Sequence, residues 1–163
     1  MLLKIISGGQ SGVDRAALDV AIEYGLAYGG RCPRGGWAED FPHPPGLLAR
    51  YPDLRETPSA DPAERTQWNV RESDAVLILL DRGGLAVSKG TALARDLAQR
   101  SQKPLLVLGL DEADAAATAK RWLDQQLAAC ADRPLQLGVG GLRESEAPGI
   151  YQRARLFLQG LFP

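Results

Sequence analysis

The chain's first candidate for chemistry is Ser7-Gly-Gly-Gln-Ser-Gly-Val-Asp14, where three glycines and two hydroxyls separate an apolar run from a helical pattern. Glycine lets a ligand approach bare backbone, and N–H groups at a helix start attract an oxyanion. Gly8, Gly9, Gln10, Ser11 and Gly12 are therefore candidates for holding a phosphate or another oxyanion. Asp14, in the first helical turn, either favours the helix dipole or accepts from a ribose hydroxyl or a magnesium-bound water. The same glycines would also serve a tight strand-to-helix turn. This loop alone does not separate the two readings.

Two further stretches repeat the pattern. Asp81-Arg-Gly-Gly-Leu-Ala-Val-Ser-Lys-Gly-Thr91 follows one apolar run, and Gly138-Val-Gly-Gly-Leu-Arg-Glu-Ser145 follows another. Both bring small residues and hydroxyls to a helix start, with Lys89, Gly90, Thr91, Arg143 and Glu144 as candidates. In an open parallel sheet, ligands sit beyond the carboxyl ends of the strands, where three such loops would meet. Arg15, Arg34, Arg71 and Arg143 are potential anion clamps, and Arg143 is favoured because it follows a glycine pair. Asn69 lies in a polar stretch beside a core strand. Trp37 is either a loop anchor or a stacking partner for a flat ring. Neither GxGxxG nor GxxxxGK[ST] occurs, so nothing points specifically to NAD, FAD or an ATP motor.

The elements that must position these loops alternate between strand and helix. Strands are expected over Leu3–Ile6, Ala27–Gly29, Leu54–Thr57, Ala75–Leu80, Pro104–Leu108 and Leu135–Val139. Helices are expected over Val13–Tyr24, Pro62–Glu72, Ser88–Arg100, Asp111–Cys130 and Pro148–Leu161. Residues 30–62 are rich in glycine and proline, with little periodicity. Alternation of this kind implies an α/β fold with a parallel sheet and right-handed crossovers. No repeat or linker breaks residues 1–163, which are expected to form one domain.

Bulk properties narrow the function. With 163 residues, the chain can bury roughly two thirds of its unfolded surface. Nineteen basic side chains against 20 acidic ones give no global field to draw it onto nucleic acid or anionic lipid. The lone His43 and the distant Cys32 and Cys130 do not make a zinc site, and two reduced thiols are expected. Without a leader-like N-terminus or a spanning apolar run, a cytoplasmic protein is expected.

Taken together, IISGGQSGVDRAALDVA, CPRGGWAED, ETPSADPAERTQWNVRESDAVLIL, GTAL and RESEAPGIY resemble the molybdenum carrier family over nearly the whole chain. That family belongs to a Rossmann-like group related to the lysine-decarboxylase-like, cytokinin-activating LOG proteins. The resemblance implies a Rossmann-like three-layer sandwich with a mostly parallel central sheet flanked by helices. It implies a phosphorylated small ligand, either molybdenum cofactor or a nucleotide, at Gly8–Gly12, Asp14, Arg34, Gly35, Asn69, Lys89–Thr91, Arg143 and Glu144. A pterin ring would suit Trp37. A homo-oligomer is expected from relatives in the wider group, and a magnesium requirement stays open.

Three departures from the related patterns bear on the reaction. LOG-type hydrolases carry PGGxGTxxE, and Ala94 falls where that glutamate would stand, so the acid–base carboxylate for ribosyl transfer is missing there. Lys89 replaces a common glycine, and Leu142 replaces the proline of GPR. Binding is therefore expected ahead of catalysis. A LOG-like phosphoribohydrolase drawing on Asp14, Arg143 and Glu144, with Glu39 or Asp40 as further substitutes, is the alternative. A nucleotide sensor signalling through the closing helix is a third reading.

Overall fold

The computed structural model describes residues 2–163. Seven strands and six helices follow one another among the described residues. The strands are β1 (Leu3–Ile6), β2 (Ala27–Gly29), β3 (Arg31–Cys32), β4 (Arg55–Glu56), β5 (Ala75–Leu80), β6 (Leu105–Gly109) and β7 (Leu135–Gly141). The helices are α1 (Val13–Glu23), α2 (Leu47–Arg50), α3 (Pro62–Glu72), α4 (Lys89–Arg100), α5 (Ala115–Ala129) and α6 (Ile150–Leu161), with a 3₁₀ turn at Gly84–Val87. Every residue of β5 is buried, as its uninterrupted Ala-Val-Leu-Ile-Leu-Leu requires of a strand covered on both faces.

Five strands form one parallel sheet in the order β2-β1-β7-β5-β6. From β1 the chain steps outward to β2, and from β5 it steps outward in the opposite direction to β6. The last strand, β7, then fills the gap between β1 and β5. This places the strand-order reversal at the centre of the sheet, where open α/β sheets leave a crevice beyond their carboxyl ends. Helices α1 and α6 pack together on one face and α3 and α4 on the other, giving the expected three-layer sandwich.

Local chemistry sets the helix that matters most to the crevice. At α3, Asp61 accepts from the Ala63 N–H at 3.0 Å and Pro62 takes the first helical position. The other end is held by Lys103, whose ammonium donates to the carbonyls of Val70, Arg71 and Ser73 at 2.8, 2.7 and 2.5 Å. The Val70 carbonyl also accepts from the Ser73 N–H at 3.2 Å, and Lys103 adds the partner that carbonyls at a helix end otherwise lack. A cation there also complements the negative helix end.

The Pro/Gly-rich segment holds more structure than its periodicity indicates. β3 and β4 pair in parallel as a separate two-stranded sheet, and α2 makes one short turn between them. Leu18, Cys32, Ala38, Leu47, Tyr51 and Leu54 form a second small core beneath this segment. The helix expected from Asp111 starts only at Ala115, because the Glu112 carboxylate turns back to accept from the Gly109 N–H at 3.0 Å. In the closing helix Ile150, Leu161 and Phe162 are core, while Leu156 is 59% exposed. Neither Cys32 nor Cys130 is bridged. Among the described residues no helix is long and apolar enough to cross a membrane.

β7 also runs two residues beyond its expected end at Val139, because β5 stays alongside it, pairing Ile78 with Gly140 and Leu79 with Gly141. A Cβ on Gly141 would lie 2.2 Å from the Leu79 carbonyl oxygen and 2.8 Å from Val13. That glycine is a packing requirement. Gly141→Ala is expected to destabilise the fold by about 1–3 kcal/mol, the usual cost of overpacking, read as a lower urea midpoint at unchanged slope.

Candidate functional site

A cleft opens over the carboxyl ends of β1, β7 and β5, on the face covered by α3 and α4. Its cavity volume is about 80 Å³. Ile6, Val70, Val76, Ile78 and Val139 give it an aliphatic floor, and no aromatic side chain lines it. Its polar wall comes from the first glycine loop, α3 and the start of α4. Arg65, Arg143 and Asp14 are its charged residues.

Arg65 dominates this wall. It projects from α3 into the sheet-facing layer and is only 8% exposed. A Cβ on Gly8 would stand 2.2 Å from its terminal nitrogen, so the guanidinium lies directly against bare backbone. Its nearest carboxylate is that of Asp14 at 3.7 Å, an ion pair too long to count as a hydrogen bond. Its Nε is buried with no partner. Burial lowers the Arg65 pKa, and Asp14 opposes the shift only in part. A guanidinium kept this dry is a costly group to leave incompletely paired.

Gln10, 4% exposed, supplies a second orphaned donor. Its side-chain carbonyl accepts from the Ser11 and Glu39 N–H groups at 3.0 and 2.9 Å, which fixes the orientation of the amide. Its Nε2 is buried with no partner. Buried donors are seldom left unpaired, and two on residues of one cleft call for an acceptor.

Asp14 opposes them. Burial pushes its carboxyl up from 3.8 to about 6, against the pull of Arg65, a backbone hydrogen bond from Gln10, Arg15 and Arg143. The carboxylate rests close to Gly140, where a Cβ would come within 3.5 Å of Oδ1. The Ser7 hydroxyl fixes the adjoining backbone by donating to the Asp14 carbonyl at 2.9 Å.

The hydroxyls opening α4 are engaged in positioning it. Ser88 accepts from the Thr91 N–H at 3.2 Å, and the Thr91 hydroxyl donates to the Gly141 carbonyl at 2.8 Å. Gly90 lies between them on the cleft wall, and a Cβ there would meet no protein atom within 4 Å. Nothing in the protein's own packing demands glycine at this position.

Similarity to known proteins bears on the family and the fold. The model of the circularly permutated YpsA SLOG family matches residues 5–162. The chain belongs to that family. It is also similar to a solved structure described as "Putative molybdenum carrier protein" from Syntrophus aciditrophicus SB. The two share 35% identity over 99% of this chain and 96% of the other, with a TM-score of 0.83. No curated protein matches the chain.

Within this family member, the cleft gathers only part of the set expected from sequence. Gly8, Gln10, Asp14, Asn69, Gly90, Thr91 and Arg143 line it; Gly9, Ser11, Gly12, Arg34, Gly35, Lys89 and Glu144 do not. Gly9, at φ +71°, packs against Leu47 and Leu54, and Gly12, at φ +83°, makes room for the Leu142 carbonyl. Gly35 donates its N–H to Glu56 at 2.7 Å, and Arg34 and Lys89 are exposed. Glu144 caps α6, accepting from the Gly149 and Tyr151 N–H groups at 2.5 and 3.0 Å. Asn69 reaches the cleft wall with its amide spent on the Arg31 backbone, accepting at 2.7 Å and donating at 3.0 Å.

The substitute carboxylates are engaged as well. Glu39 binds the Ser11 hydroxyl and accepts from the Ser145 hydroxyl at 2.6 Å. Burial works to raise its pKa, but these bonds outweigh it and hold the pKa below the usual range. Asp40 is paired with both terminal nitrogens of Arg15 at 2.8 Å. The buried cation, Arg65, was not among the expected clamps. Its signal is the spacing Arg65, Asn69, Ser73, a polar stripe at i, i+4 and i+8 on the face of α3 that also carries Val70.

The raised carboxyl of Asp14 has a consequence for stability. A pKa higher in the folded than in the unfolded chain gives stability that is complete below pH 3.8 and lost as pH rises through about 6. At neutral pH the cost is on the order of 3 kcal/mol. Asp14→Asn is expected to melt above the wild type at pH 7, with the gap closing below pH 4 in thermal scans.

Proposed function

We propose that the cleft binds a phosphorylated small molecule, with molybdenum cofactor or a nucleotide as the ligand carried. The observation that supports this most directly is Arg65, a buried guanidinium with an unpartnered Nε, together with the unpartnered amide nitrogen of Gln10, both on residues that line the cleft. Both are donors, and an oxyanion is the acceptor that satisfies such a pair. The open backbone at Gly90, in the first turn of α4, adds the positive end of a helix. The donor set fits the phosphate that molybdenum cofactor and nucleotides share. For the ring, the cleft offers aliphatic contact, and Trp37 stands outside it against Arg143. The carrier role is supported by the likeness to the relative from Syntrophus.

A second reading rests on Asp14, the only carboxylate among the lining residues. It would serve as the acid–base group of a phosphoribohydrolase in place of the glutamate absent at Ala94. Release of free base from nucleoside monophosphates, lost in Asp14→Asn, is its test.

Calorimetric titration with molybdenum cofactor, AMP, ATP and NAD tests the binding reading, which fails if none of them binds. Arg65→Met is expected to weaken binding at least about thirtyfold, the roughly 2 kcal/mol of a buried charged contact. Gly90→Ala is expected to keep the melting temperature and weaken binding, because its new methyl meets no neighbouring side chain and stands on the cleft wall. Unchanged affinity in both variants would place the ligand elsewhere.

A further inference from the structure

A site built only to hold a fully ionised oxyanion would present donors alone. This cleft does not. Arg65 and Gln10 offer donors, and Asp14 sets a buried acceptor 3.7 Å from the Arg65 guanidinium. Only 15% of the Asp14 side chain is exposed, so water does little to shield it from whatever Arg65 holds. An oxyanion bound to Arg65 therefore meets a second anionic oxygen. Two such oxygens repel unless a proton lies between them, and with one they form a short, charge-assisted hydrogen bond.

We propose that this subsite selects oxyanions that keep or readily take up a proton near neutral pH, inorganic phosphate and phosphate monoesters, and rejects tetrahedral oxyanions that stay fully ionised there, such as sulfate and free molybdate. The inference rests on the anion-binding reading of the cleft and sharpens it. The part of a ligand held at Arg65 is its phosphate, and a molybdenum-bearing ligand is not held there by a bare molybdate group. No bond is made or broken beyond the hydrogen bond, and the single proton is shared between the oxyanion and Asp14.

The surroundings of Asp14 favour this division of labour. Three cations act on it: Arg65 from α3, Arg15 from its own helix and Arg143 from the loop after β7. Arg15 is already paired with Asp40, and Arg143 lies 3.9 Å from Glu39, which leaves Arg65 as the cation closest to Asp14 without a closer carboxylate. At pH 7 the Asp14 carboxyl, raised by burial only to about 6, is mostly ionised, so the shared proton has to come from the oxyanion. Discrimination of this kind is steep because the wrong ligand leaves a buried polar group facing an unpaired charge.

The test is competition at pH 7 between inorganic phosphate, sulfate and molybdate, on the full chain and on Asp14→Asn, read by calorimetry. Phosphate is expected to bind at least about tenfold more tightly than either other anion to the wild type. In Asp14→Asn that ratio is expected to collapse, with sulfate gaining affinity in absolute terms. Sulfate or molybdate binding the wild type as tightly as phosphate would overturn the selectivity while leaving the anion site standing. A phosphate preference that survives in Asp14→Asn would overturn the role given to Asp14. Binding of none of the three, together with none of the phosphorylated ligands, would remove the anion site and the selectivity with it.

Discussion

The molecule is organised around a guanidinium laid against a backbone that has no side chain in the way. Arg65 can occupy the sheet-facing layer only because Gly8 leaves the space its terminal nitrogen fills. Burying that charge is expensive, and one carboxylate at 3.7 Å offsets the cost only partly. Much of the neighbouring structure reads as support for this arrangement. Lys103 and Asp61 fix the two ends of α3, and Asn69 ties its middle to β3. Gln10 is oriented by two backbone N–H groups, so its free donor is presented rather than adaptable. A polar site assembled from rigid elements pays little to order itself when a ligand arrives.

The three glycine loops divide their work unequally. Gly9 and Gly12 are needed for positive φ and close packing, Gly141 for the approach of β7 to β5, and Gly8 for the Arg65 guanidinium, while Gly90 is demanded by no packing contact. The same residue type thus answers to three physical demands within one sheet edge. Side chains that look catalytic in isolation, such as Glu39, Asp40 and Glu144, are consumed in fixing loops and a helix end. What remains free in the cleft is a short set: two donors, one carboxylate and an exposed helix start.

The fold was legible because its signals are local. Continuous apolar runs such as Ala75–Leu80 and the Asp61-Pro62 start of α3 need no tertiary information, and their alternation dictates a parallel sheet. The convergence of three loops on one edge followed from that topology. The site was less legible, since which arginine is buried depends on a contact across the fold. Arg65 sits among polar neighbours and reads as a solvated residue until the absence of a Cβ at Gly8 is known. Arg34, beside glycines and prolines, looks like a better clamp and is exposed. β4 falls within the strand expected over Leu54–Thr57, but β3 and its pairing with β4 were hidden for a related reason. Strands this short carry no periodicity, and pairing with a distant segment decides them.

Trp68 stands outside the cleft on the helix that carries Arg65. Two guanidinium groups lie near its indole, Arg31 at 4.9 Å and Arg71 at 5.0 Å from the ring centroid. Arg31 belongs to β3, whose backbone Asn69 holds through both halves of its amide. The ring therefore sits where the helix meets the small sheet, in a field set by two nearby positive charges. Any sliding of α3 against β3 alters that field, which gives the protein an internal optical gauge of the helix that holds its buried arginine.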